Sequence, residues 1–586
     1  MHRLIGCVLA LLAPAAMAQT TVDARRVMVG STPLPTVLDQ IPNVPLERLD
    51  ATIDMTGATD GTAKLSAALL AATTAYPGRC VYQASSTTIR LDAAILIPTN
   101  ACFIMGPGSK LLRTASGTGS RMVRIASGAR VEGMTLDGGG TGTAVSGIVN
   151  EGDSVAVLRS ITIRNMSGKA VAVNGAVDWT VDGLDVSGNT VALQTVSFYN
   201  NADIGFSRVR ITGFKSDRSA ASPSSVAFGA SALQVNGTPA HPTLVYIDGA
   251  DFREPYSPPN AYQALGTVNA YGNISNISVL GGSIAISLSK PTSDNLNVSQ
   301  VSGRGQNLKV IEVPGDCING GCVSTSDLGG GYINLSNINA DGAGLDGVVR
   351  LPRGIAVDTT GSGINIANVV CRRYIQDCIS AFNGKNSLNI SNVYADGGSQ
   401  TGAFAPTNGQ GAVNIAASSG QPASRWVNIA NVQCRMGGVG TRCLFFRNAQ
   451  YVNARNVIVE GLASGGKIVE IIGLGAGQTA DFYDLDVSDG GNSPTSAMAA
   501  LSASTGGALG SSIRIRGRGF APYVAGWTCD LIDAAAGLGR CDGTVSPEGV
   551  LDGAKGSRAL NRTTGIEYVK TTAKATLTGW SAIVTP

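Results

Sequence analysis

A group of acidic, basic and aromatic residues between positions 185 and 262 could act together on a sugar chain. A carboxylic acid can protonate the leaving oxygen of a glycosidic bond while a second carboxylate activates water or stabilises the sugar. Arginine neutralises acidic sugar groups, and tyrosine rings pack against sugar faces. The residues predicted as catalytic are Asp185, Asp251 and Glu254, and those predicted as substrate-binding are Arg210, Arg253, Tyr256 and Tyr262. Glycan binding without catalysis and an ordinary solvated surface are the alternatives.

Other titratable residues offer fewer options. Glu312 and Asp316 stand beside Cys317 and could form a second acidic pair, although a plain turn explains the same residues. Of the two histidines, His241 precedes Pro242 inside an insertion, which is typical of a loop residue rather than a base. So few histidines argue against most zinc sites and against a Ser-His-Asp triad. The acidic residues show no ordered spacing for calcium, so no metal or cofactor is predicted.

A ten-residue repeat determines how these residues are positioned. It reads apolar–Asn–apolar–x–Asn–apolar–x–apolar–x–Gly and is clearest at 333–342. Further copies contain Asn273/Asn276, Asn297/Gln300, Asn365/Asn368, Asn389/Asn392, Asn428/Asn431, Asn453/Asn456 and Asp481/Asp484, and weaker copies run through Met134, Ile161, Leu184, Val209 and Ala250. Alternation at period two predicts one strand per copy, and such strands bury their apolar faces only when they stack as coils.

The repeat therefore predicts an all-β fold, a parallel β-helix from about residue 80 to 525, with a propeller or β-sandwich as the alternative. Asparagines at equivalent turn positions are expected to form amide ladders and to tolerate a left-handed backbone. The alanine-rich segment 60–72 predicts a helix that caps the open N-terminal coil.

Aligning the copies gives two columns of outward-facing residues. One column reads Asp137, Arg164, Ser187, Thr212, Arg253, Leu280, Arg304, Asp341, Arg372, Asp396, Arg435, Glu460 and Ser488. Its members from Arg304 to Glu460 alternate in sign, which predicts a ladder of ion pairs that fixes the register. The same column could instead bind a charged glycan.

The second column reads Thr135, Thr162, Asp185, Arg210, Asp251, Ser278, Ser302, Asn339, Val370, Tyr394, Gln433, Ile458 and Asp486. Its exposed apolar members, Val370, Tyr394 and Ile458, predict a covering loop or a neighbouring subunit. In this register Asp185 and Asp251 lie two coils apart with Arg210 between them. At about 4.8 Å per coil, their separation approaches the roughly 6.5–9.5 Å typical of inverting glycosidases.

Composition excludes several classes of protein. The chain has 586 residues, of which 44% are hydrophobic and 14% charged, and its formal net charge is +3. This much apolar material predicts a folded core rather than a disordered polymer. No basic stripe with interleaved aromatic residues is present, so nucleic-acid binding is not expected. Beyond the N-terminus, no apolar stretch is long enough to span a bilayer.

The N-terminus and the cysteines predict export. Residues 1–18 have the charged start, apolar run and small-residue end of a signal peptide, with cleavage before Gln19. The ten cysteines after it fall into five close pairs: Cys80/Cys102, Cys317/Cys322, Cys371/Cys378, Cys434/Cys443 and Cys529/Cys541. This clustering predicts disulfides between neighbours, with metal binding as the alternative. The predicted organisation continues with a linker at 19–49, a cap at 50–79, the β-helix at 80–525 and a C-terminal module at 526–586.

Specific sequence segments resemble known families. The segment DGTAKLSAALLAA at 60–72, MGPG at 105–108 and GMTLDG at 133–138 resemble the pectate-lyase-like right-handed parallel β-helix superfamily. The tail, with PEG at 547–549, YVK at 568–570 and TGW at 578–580, resembles terminal modules of bacteriophage tail spikes and fibres. The first resemblance implies a polysaccharide partner, and the second implies a homotrimer. The chain lacks the Asp-Asp pair and the Gly-His-Gly of the galacturonase type, so that particular activity is not expected.

Three functions are consistent with the sequence. The first is a polysaccharide hydrolase or lyase, in which Asp251 acts with Asp185 or Glu254, or in which Arg210 or Arg253 neutralises a uronic acid. The second is a receptor-binding spike or fibre that binds a surface glycan without cleaving it, and the third is a secreted adhesin. The signal peptide predicts secretion to the periplasm or cell exterior, whereas the spike-like tail predicts a phage virion.

Overall fold

The computed structural model describes Met28–Val29, Thr32–Pro33 and residues 43–583. The gaps in the long range are 115–116, 118, 140–144, 189–194, 201–204, 220–230, 256–262, 290–294, 315–316, 319–320, 323–331, 345–346, 350, 352, 359–362, 383–386, 398–410, 417–423, 436–441, 448, 461–466, 473–478, 489–498, 502–512, 519–526, 534–537, 550–554 and 573–577. The predicted signal peptide lies outside the described residues.

The chain forms a right-handed parallel β-helix in which each coil contributes a strand to two facing sheets. The long strands of the first sheet are Ser154–Arg164, Val177–Ser187, Ser207–Asp217, Thr243–Arg253, Ala270–Leu280, Leu296–Arg304, Tyr332–Asp341, Gly363–Arg372, Ser387–Asp396, Ser424–Arg435, Ala449–Glu460 and Thr479–Ser488, followed by Ile513–Arg518. Its earlier strands are shorter: Asn43–Pro45, Cys80–Gln83, Thr88–Leu91, Cys102–Met105, Lys110–Arg113, Ala129–Glu132 and Thr135–Asp137. Because Asn43–Pro45 already pairs in parallel with Cys80–Gln83, the sheet begins inside the segment predicted as a linker.

Among the described residues, the second sheet has fifteen strands. They are Ile95–Ile97, Arg121–Ile125, Ser146–Asn150, Val171–Asn174, Val196–Tyr199, Ser231–Asn236, Gln263–Val268, Ile284–Ser289, Lys309–Val313, Arg353–Val357, Asp377–Phe382, Val413–Ala416, Arg442–Arg447, Lys467–Ile472 and Ala499–Leu501. The inward side chains of both sheets form one core. Trp179, for example, packs edge-on against Phe198 with ring centroids 5.9 Å apart.

Among the described residues, one left-handed residue bends each long strand of the first sheet from Ser154–Arg164 to Ala449–Glu460, and Gly133 lies at the equivalent place between two shorter strands. The bend residue has a positive φ of 52–73° in twelve coils: Gly133, Ser160, Gly183, Gly213, Gly249, Asn276, Gln300, Asn337, Asn368, Asn392, Asn431 and Asn456. Glycine adopts this conformation without steric cost, and asparagine is among the side chains that tolerate it best. The strand thus turns a corner without any inserted residues.

Two amide ladders follow this bend, as the sequence predicts. At the bend itself, Asn392 donates to Asn368 at 2.9 Å and accepts from Asn431 at 2.8 Å. Three positions earlier, Asn365 donates to Asn334 at 2.7 Å, and Asn389 donates to Asn365 at 2.8 Å. Each amide forms a hydrogen bond with the equivalent amide of the next coil, so the ladders hold neighbouring coils in register.

Disulfides and a helix complete the solenoid. Cys371–Cys378 and Cys434–Cys443 are bonded inside the core and join a first-sheet strand to the next second-sheet strand, while Cys80–Cys102 joins two N-terminal coils. The backbones of Cys317 and Cys322, and of Cys529 and Cys541, pair in antiparallel strands. A short helix, α1 (Leu46–Leu49), precedes α2 (Thr62–Ala75), which buries Leu65 and Leu69 against the first coils.

Beyond Arg518 the strands pair mostly antiparallel, except that Leu538–Gly543 pairs in parallel with Arg558–Asn561. The C-terminal strands are Trp527–Asp533, Leu538–Gly543, Arg558–Asn561, Ile566–Lys570 and Trp580–Ala582. The Glu548 carboxylate accepts hydrogen bonds from the backbone N–H groups of Gly579 and Trp580 at 2.9 and 2.7 Å. These bonds join the PEG segment at 547–549 to the TGW segment at 578–580. Two further short pairs of strands are Met28–Val29 with Thr32–Pro33 and Cys317–Ile318 with Gly321–Cys322.

The bend residue gives a direct test of this fold. Asn392→Ala removes two ladder hydrogen bonds. It also places alanine, which tolerates the left-handed conformation less well than asparagine, at the bend. We expect a loss of about 1–3 kcal/mol of unfolding free energy. Asn392→Gly loses the same hydrogen bonds without the backbone strain, and should cost less.

The midpoint of urea unfolding, followed by circular dichroism, measures both variants. Asn389→Ala is the matched control because it breaks the other ladder at a position outside the bend. Equal losses for Asn392→Ala and Asn392→Gly would contradict the role given to the left-handed backbone.

Candidate functional site

The outer face of the second sheet carries a continuous row of side chains that alternate with the core residues. The paired residues along this row are Ser197, Gln234, Gly266, Ser287, Glu312, Ala356, Ser380, Asn414 and Phe445. Although they point away from the core, nearly all of them are buried. This face, called the recess below, is therefore covered along most of its length, and solvent reaches it at half-buried residues such as Glu312.

The recess is located where the coil can accept insertions. The bend in the first sheet uses a single residue, so any additional length must lie in the connections that enter or leave the second sheet. Three long connections do so: 218–230 and 397–412 lead into it, and 314–331 leads away from it. The shorter connection 254–262 also leads into it. The chain thus concentrates its variable segments on either side of this one face.

Lys309 lies at the centre of the charged part of the recess. Its ammonium group forms an ion pair with Glu312 on the same strand and lies 4.0 Å from an Asp358 oxygen on the next coil. The side chains of Lys309 and Glu312 keep 16% and 15% of their surface exposed. Two carboxylates thus flank one cation in a place that a ligand can still reach.

Asp377 begins the second-sheet strand two coils further on and is fully buried. Its carboxylate accepts hydrogen bonds from the Gly411 N–H at 3.1 Å and from the Asn414 amide at 3.4 Å, and Arg353 Nε lies 3.4 Å away. Burial raises the pKa of Asp377 to about 7, and the charge of Arg353 offsets only part of that effect. Near neutral pH this carboxyl group therefore exists in both protonation states.

The N-terminal part of the recess combines a lysine with a tyrosine. Lys169 Nζ donates to Ser197 Oγ at 3.2 Å and lies 5.1 Å from the centre of the Tyr199 ring. Burial lowers the pKa of Lys169 and raises the pKa of Tyr199. Arg353 and Arg442 make similar contacts further along the row, with the rings of Phe382 and Phe445 at 5.1 and 4.9 Å.

The carboxylates predicted from the sequence lie elsewhere, on the outer face of the first sheet. Asp185 and Asp251 are two coils apart as expected, but Lys215 stands between them. The prediction that Arg210 lies there is wrong by five residues. The sequence alignment of the copies places Val209 beside Leu184 and Ala250. In the structure Phe214, directly after the bend glycine Gly213, pairs with both of these residues. The same correction replaces Thr212 by Asp217 in the other outward column.

The structure places three other predicted site residues, Arg210, Arg253 and Glu254, in surroundings that the sequence does not predict. Arg210 continues the Asn334 column, where its guanidinium lies 5.5 Å from the Tyr246 ring. Arg253 is exposed and pairs across the sheet with Asp217. Glu254 is only 2% exposed and accepts two bonds from Arg218 Nε at 2.9 and 3.2 Å, so the structure does not present it to a ligand.

Glu254 illustrates how burial competes with pairing. Removing its carboxylate from water raises its pKa to about 6, even though Arg218 acts in the opposite direction. This buried pair links the beginnings of the 218–230 and 254–262 connections. Tyr256 and Tyr262, predicted to bind substrate, lie outside the described residues, as does Asp316.

The remaining columns follow the predicted register. Arg304, Asp341, Arg372, Asp396, Arg435 and Glu460 are successive cross-strand neighbours, and Arg435 lies 3.9 Å from Glu460. Asp341 instead forms its ion pair with Arg373. Val370, Tyr394 and Ile458 are half-buried and line a shallow groove of about 420 Å³ beside the asparagines of the bend.

The sequence contains a clear signal for the register of the first sheet and only a weak signal for the outward residues of the second sheet. A glycine followed by alternating apolar residues recurs at Gly183, Gly213 and Gly249, in the place that asparagine takes later in the chain. Recognising this equivalence would have placed Lys215. The second-sheet strands are three to six residues long, as in Ile95–Ile97 and Asp377–Phe382, and carry too little alternation to reveal their outward positions.

No metal site is evident in the part of the chain that the structure describes, because no three His, Cys, Asp or Glu side chains come together there. Among the described helices, none has the length and apolar character that a membrane span requires.

Comparison with known proteins gives likenesses to solved structures only. No protein-family model and no curated protein matches the sequence. Among solved structures, the chain is similar to PfbA, a surface adhesin of Streptococcus pneumoniae, with 10% identity, coverage of 93% of this chain and 98% of that chain, and a TM-score of 0.37. It is also similar to the tail spike of E. coli bacteriophage HK620 in complex with a pentasaccharide, with 12% identity, coverage of 85% of this chain and 84% of that chain, and a TM-score of 0.37. For the family 28 exopolygalacturonase of Yersinia enterocolitica, the corresponding values are 12%, 77%, 79% and 0.32. At these identities and TM-scores, the likenesses assign neither a family nor a function to this chain.

Asp377 makes the stability of the protein depend on pH in a defined direction. Its carboxyl group binds a proton more tightly in the folded chain, with a pKa of about 7, than in the unfolded chain, where the value is about 3.9. Its contribution to stability is therefore fully present below about pH 4 and is lost as the pH rises through 7. Asp377→Asn removes this titration.

We expect the unfolding free energy of the native chain, relative to Asp377→Asn, to fall by up to about 4 kcal/mol between pH 4 and pH 8. Urea unfolding across this pH range measures the difference. Parallel curves for the two proteins, or a difference that grows in favour of the native chain, would contradict the buried, raised carboxyl group.

Proposed function

We propose that this protein binds an extended polysaccharide along the recessed outer face of the second sheet. The observation that carries the proposal is the unbroken row of outward side chains from Ser197 to Phe445. Eight coil steps of about 4.8 Å give this row a length of roughly 40 Å. A surface that repeats along one axis suits a ligand that also repeats along one axis.

The chemistry of the row supports a carbohydrate. Half-buried polar groups beside the row, such as Asn236 and Ser289, are suited to hydrogen bonding with sugar hydroxyls. The half-buried rings of Tyr199 and Phe382 offer apolar faces. Binding sites for small ligands commonly combine apolar walls with a few convergent polar groups, and this recess has both.

Cleavage of the bound polysaccharide is the second candidate function. Glu312 and Asp358 lie on either side of Lys309 and keep 15% and 24% of their side-chain surface exposed, so two carboxyl groups that a ligand can reach are available. Glycoside hydrolysis requires such a pair. Asp185 and Asp251 remain an alternative pair on the first sheet, with Lys215 between them.

The site of action follows from the same reasoning. Buried disulfides form in oxidising compartments, which supports a role outside the cytoplasm, either as a secreted protein or on a phage virion. The tail-spike resemblance additionally predicts a homotrimer, whose mass light scattering would measure directly. A non-catalytic spike or adhesin would bind the glycan without shortening it.

Incubation of the chain from Gln19 onward with a panel of bacterial and plant polysaccharides tests both functions. Size-exclusion chromatography reports co-elution for binding and shortened chains for cleavage. We expect one glycan to co-elute with the native chain, and Lys309→Ala with Glu312→Gln to weaken its binding about tenfold or more. Asp185→Asn with Asp251→Asn is the matched control on the other sheet.

The variants separate the alternatives. If a glycan is shortened by the native chain but not after substitution of Glu312, the protein is a depolymerase that acts in the recess. New ultraviolet-absorbing ends would identify a lyase, and their absence a hydrolase. If only the Asp185/Asp251 variant loses binding or cleavage, the recess is not the site. Retention of no glycan by the native chain would overturn the proposed function.

A further inference from the structure

An exposed aromatic column runs along the outer face of the first sheet. Residues that pair from coil to coil in this column are Tyr332, Gly363, Ser387, Trp426 and Tyr451. Trp426 is 55% exposed and Tyr332 52%, which places both among the most exposed large apolar side chains of the described residues. A tryptophan gains little by remaining in water, so this exposure points to a partner.

The rings in this column are arranged as platforms. Trp426 and Tyr451 stack with centroids 4.4 Å apart and planes 19° from parallel. On the opposite side of Trp426, the next two coils contribute only Ser387 and Gly363. A Cβ on Gly363 would lie 2.3 Å from the Tyr332 ring, so that ring rests directly over the glycine. Tyr332 and Trp426 are three coil steps apart, roughly 14 Å. Because the Tyr332 ring covers Gly363, the small side chain of Ser387 forms the floor between that ring and the Trp426 stack.

A row of amides borders this floor. Two residues further along each strand lie Asn334, Asn365, Asn389 and Asn428, joined by hydrogen bonds of 2.7–2.9 Å. Each of these coil-to-coil bonds uses one N–H of one amide and one lone pair of its neighbour. An amide has two N–H groups and two lone pairs, so the row retains further donors and acceptors at about 4.8 Å intervals.

The electrostatic character of the surface restricts its ligand. From Tyr332 to Asn453, neither the aromatic column nor the amide column contains a charged side chain. A charged ligand would find no counter-charge within these columns. An uncharged ring with hydroxyl groups on its edge and an apolar face matches both the platforms and the amides.

We infer that Trp426, Tyr332 and the adjacent amide row form a second carbohydrate site, which binds an uncharged glycan by stacking a sugar ring on Trp426. This site lies on the first sheet and does not involve the recess of the second sheet. The inference therefore goes beyond the proposed function, and it can fail or succeed independently of it.

A glycan microarray that contains both uncharged and acidic oligosaccharides, probed with the labelled full mature chain, tests this site. We expect at least one uncharged oligosaccharide to be retained, and its apparent affinity to fall about tenfold or more in Trp426→Ala. Trp426→Phe keeps a ring and should retain part of the affinity. Val155→Ala is the matched control, because Val155 lies in the same column near its N-terminal end and is 50% exposed.

The Glu312→Gln variant distinguishes this site from the recess, because it leaves the aromatic column intact. Retention lost in Trp426→Ala but kept in Glu312→Gln and Val155→Ala supports the second site. The inference is overturned if every retained glycan binds Trp426→Ala as well as the native chain, or if no uncharged glycan is retained. A change of oligomeric state in Trp426→Ala, without loss of glycan, would also overturn it by assigning the face to subunit contact.

Discussion

The hydrogen bonds that join one coil to the next are the interaction on which the rest of this structure depends. They hold the strands of both sheets in parallel register, and the amide ladders repeat the same connection in side chains. The long strands from Ser154–Arg164 to Ala449–Glu460 each bend at a single left-handed residue, mostly glycine in the earlier coils and asparagine in the later ones. Once register is locked in this way, every outward position becomes a straight column along the axis.

This constraint also determines where function can develop. A bend of one residue leaves no room for insertion, so the chain lengthens only in the two connections that flank the second sheet. The outer face between those connections is recessed, and it collects the buried and half-buried charges of Lys309, Arg353 and Asp377. The first sheet has no such flanking segments at its bend, and its columns stay open to solvent.

Much of the fold could be predicted from the sequence because asparagines and apolar residues recur at fixed positions of the repeat. The asparagine pairs gave the coils from Asn273 onward in the correct register, including the alternating charges from Arg304 to Glu460. The register failed at Val209, where glycine replaces asparagine at the bend and the alternation of the adjacent residues does not reveal a shift of five positions. The candidate site was harder to find, because Asp377 and Glu312 lie on short strands. Their importance arises from burial and from partners on other coils, such as Arg353 and Asp358, that no local pattern records.

The central claim is that a polysaccharide lies along the second sheet. A crystal structure of the mature chain with oligosaccharide fragments of the glycan that it retains would test this claim most directly. The account predicts sugar density that follows the row from Ser197 towards Phe445 and contacts the Lys309–Glu312 pair. Density confined to the Asp185–Asp251 column, or to a surface away from the second sheet, would contradict it.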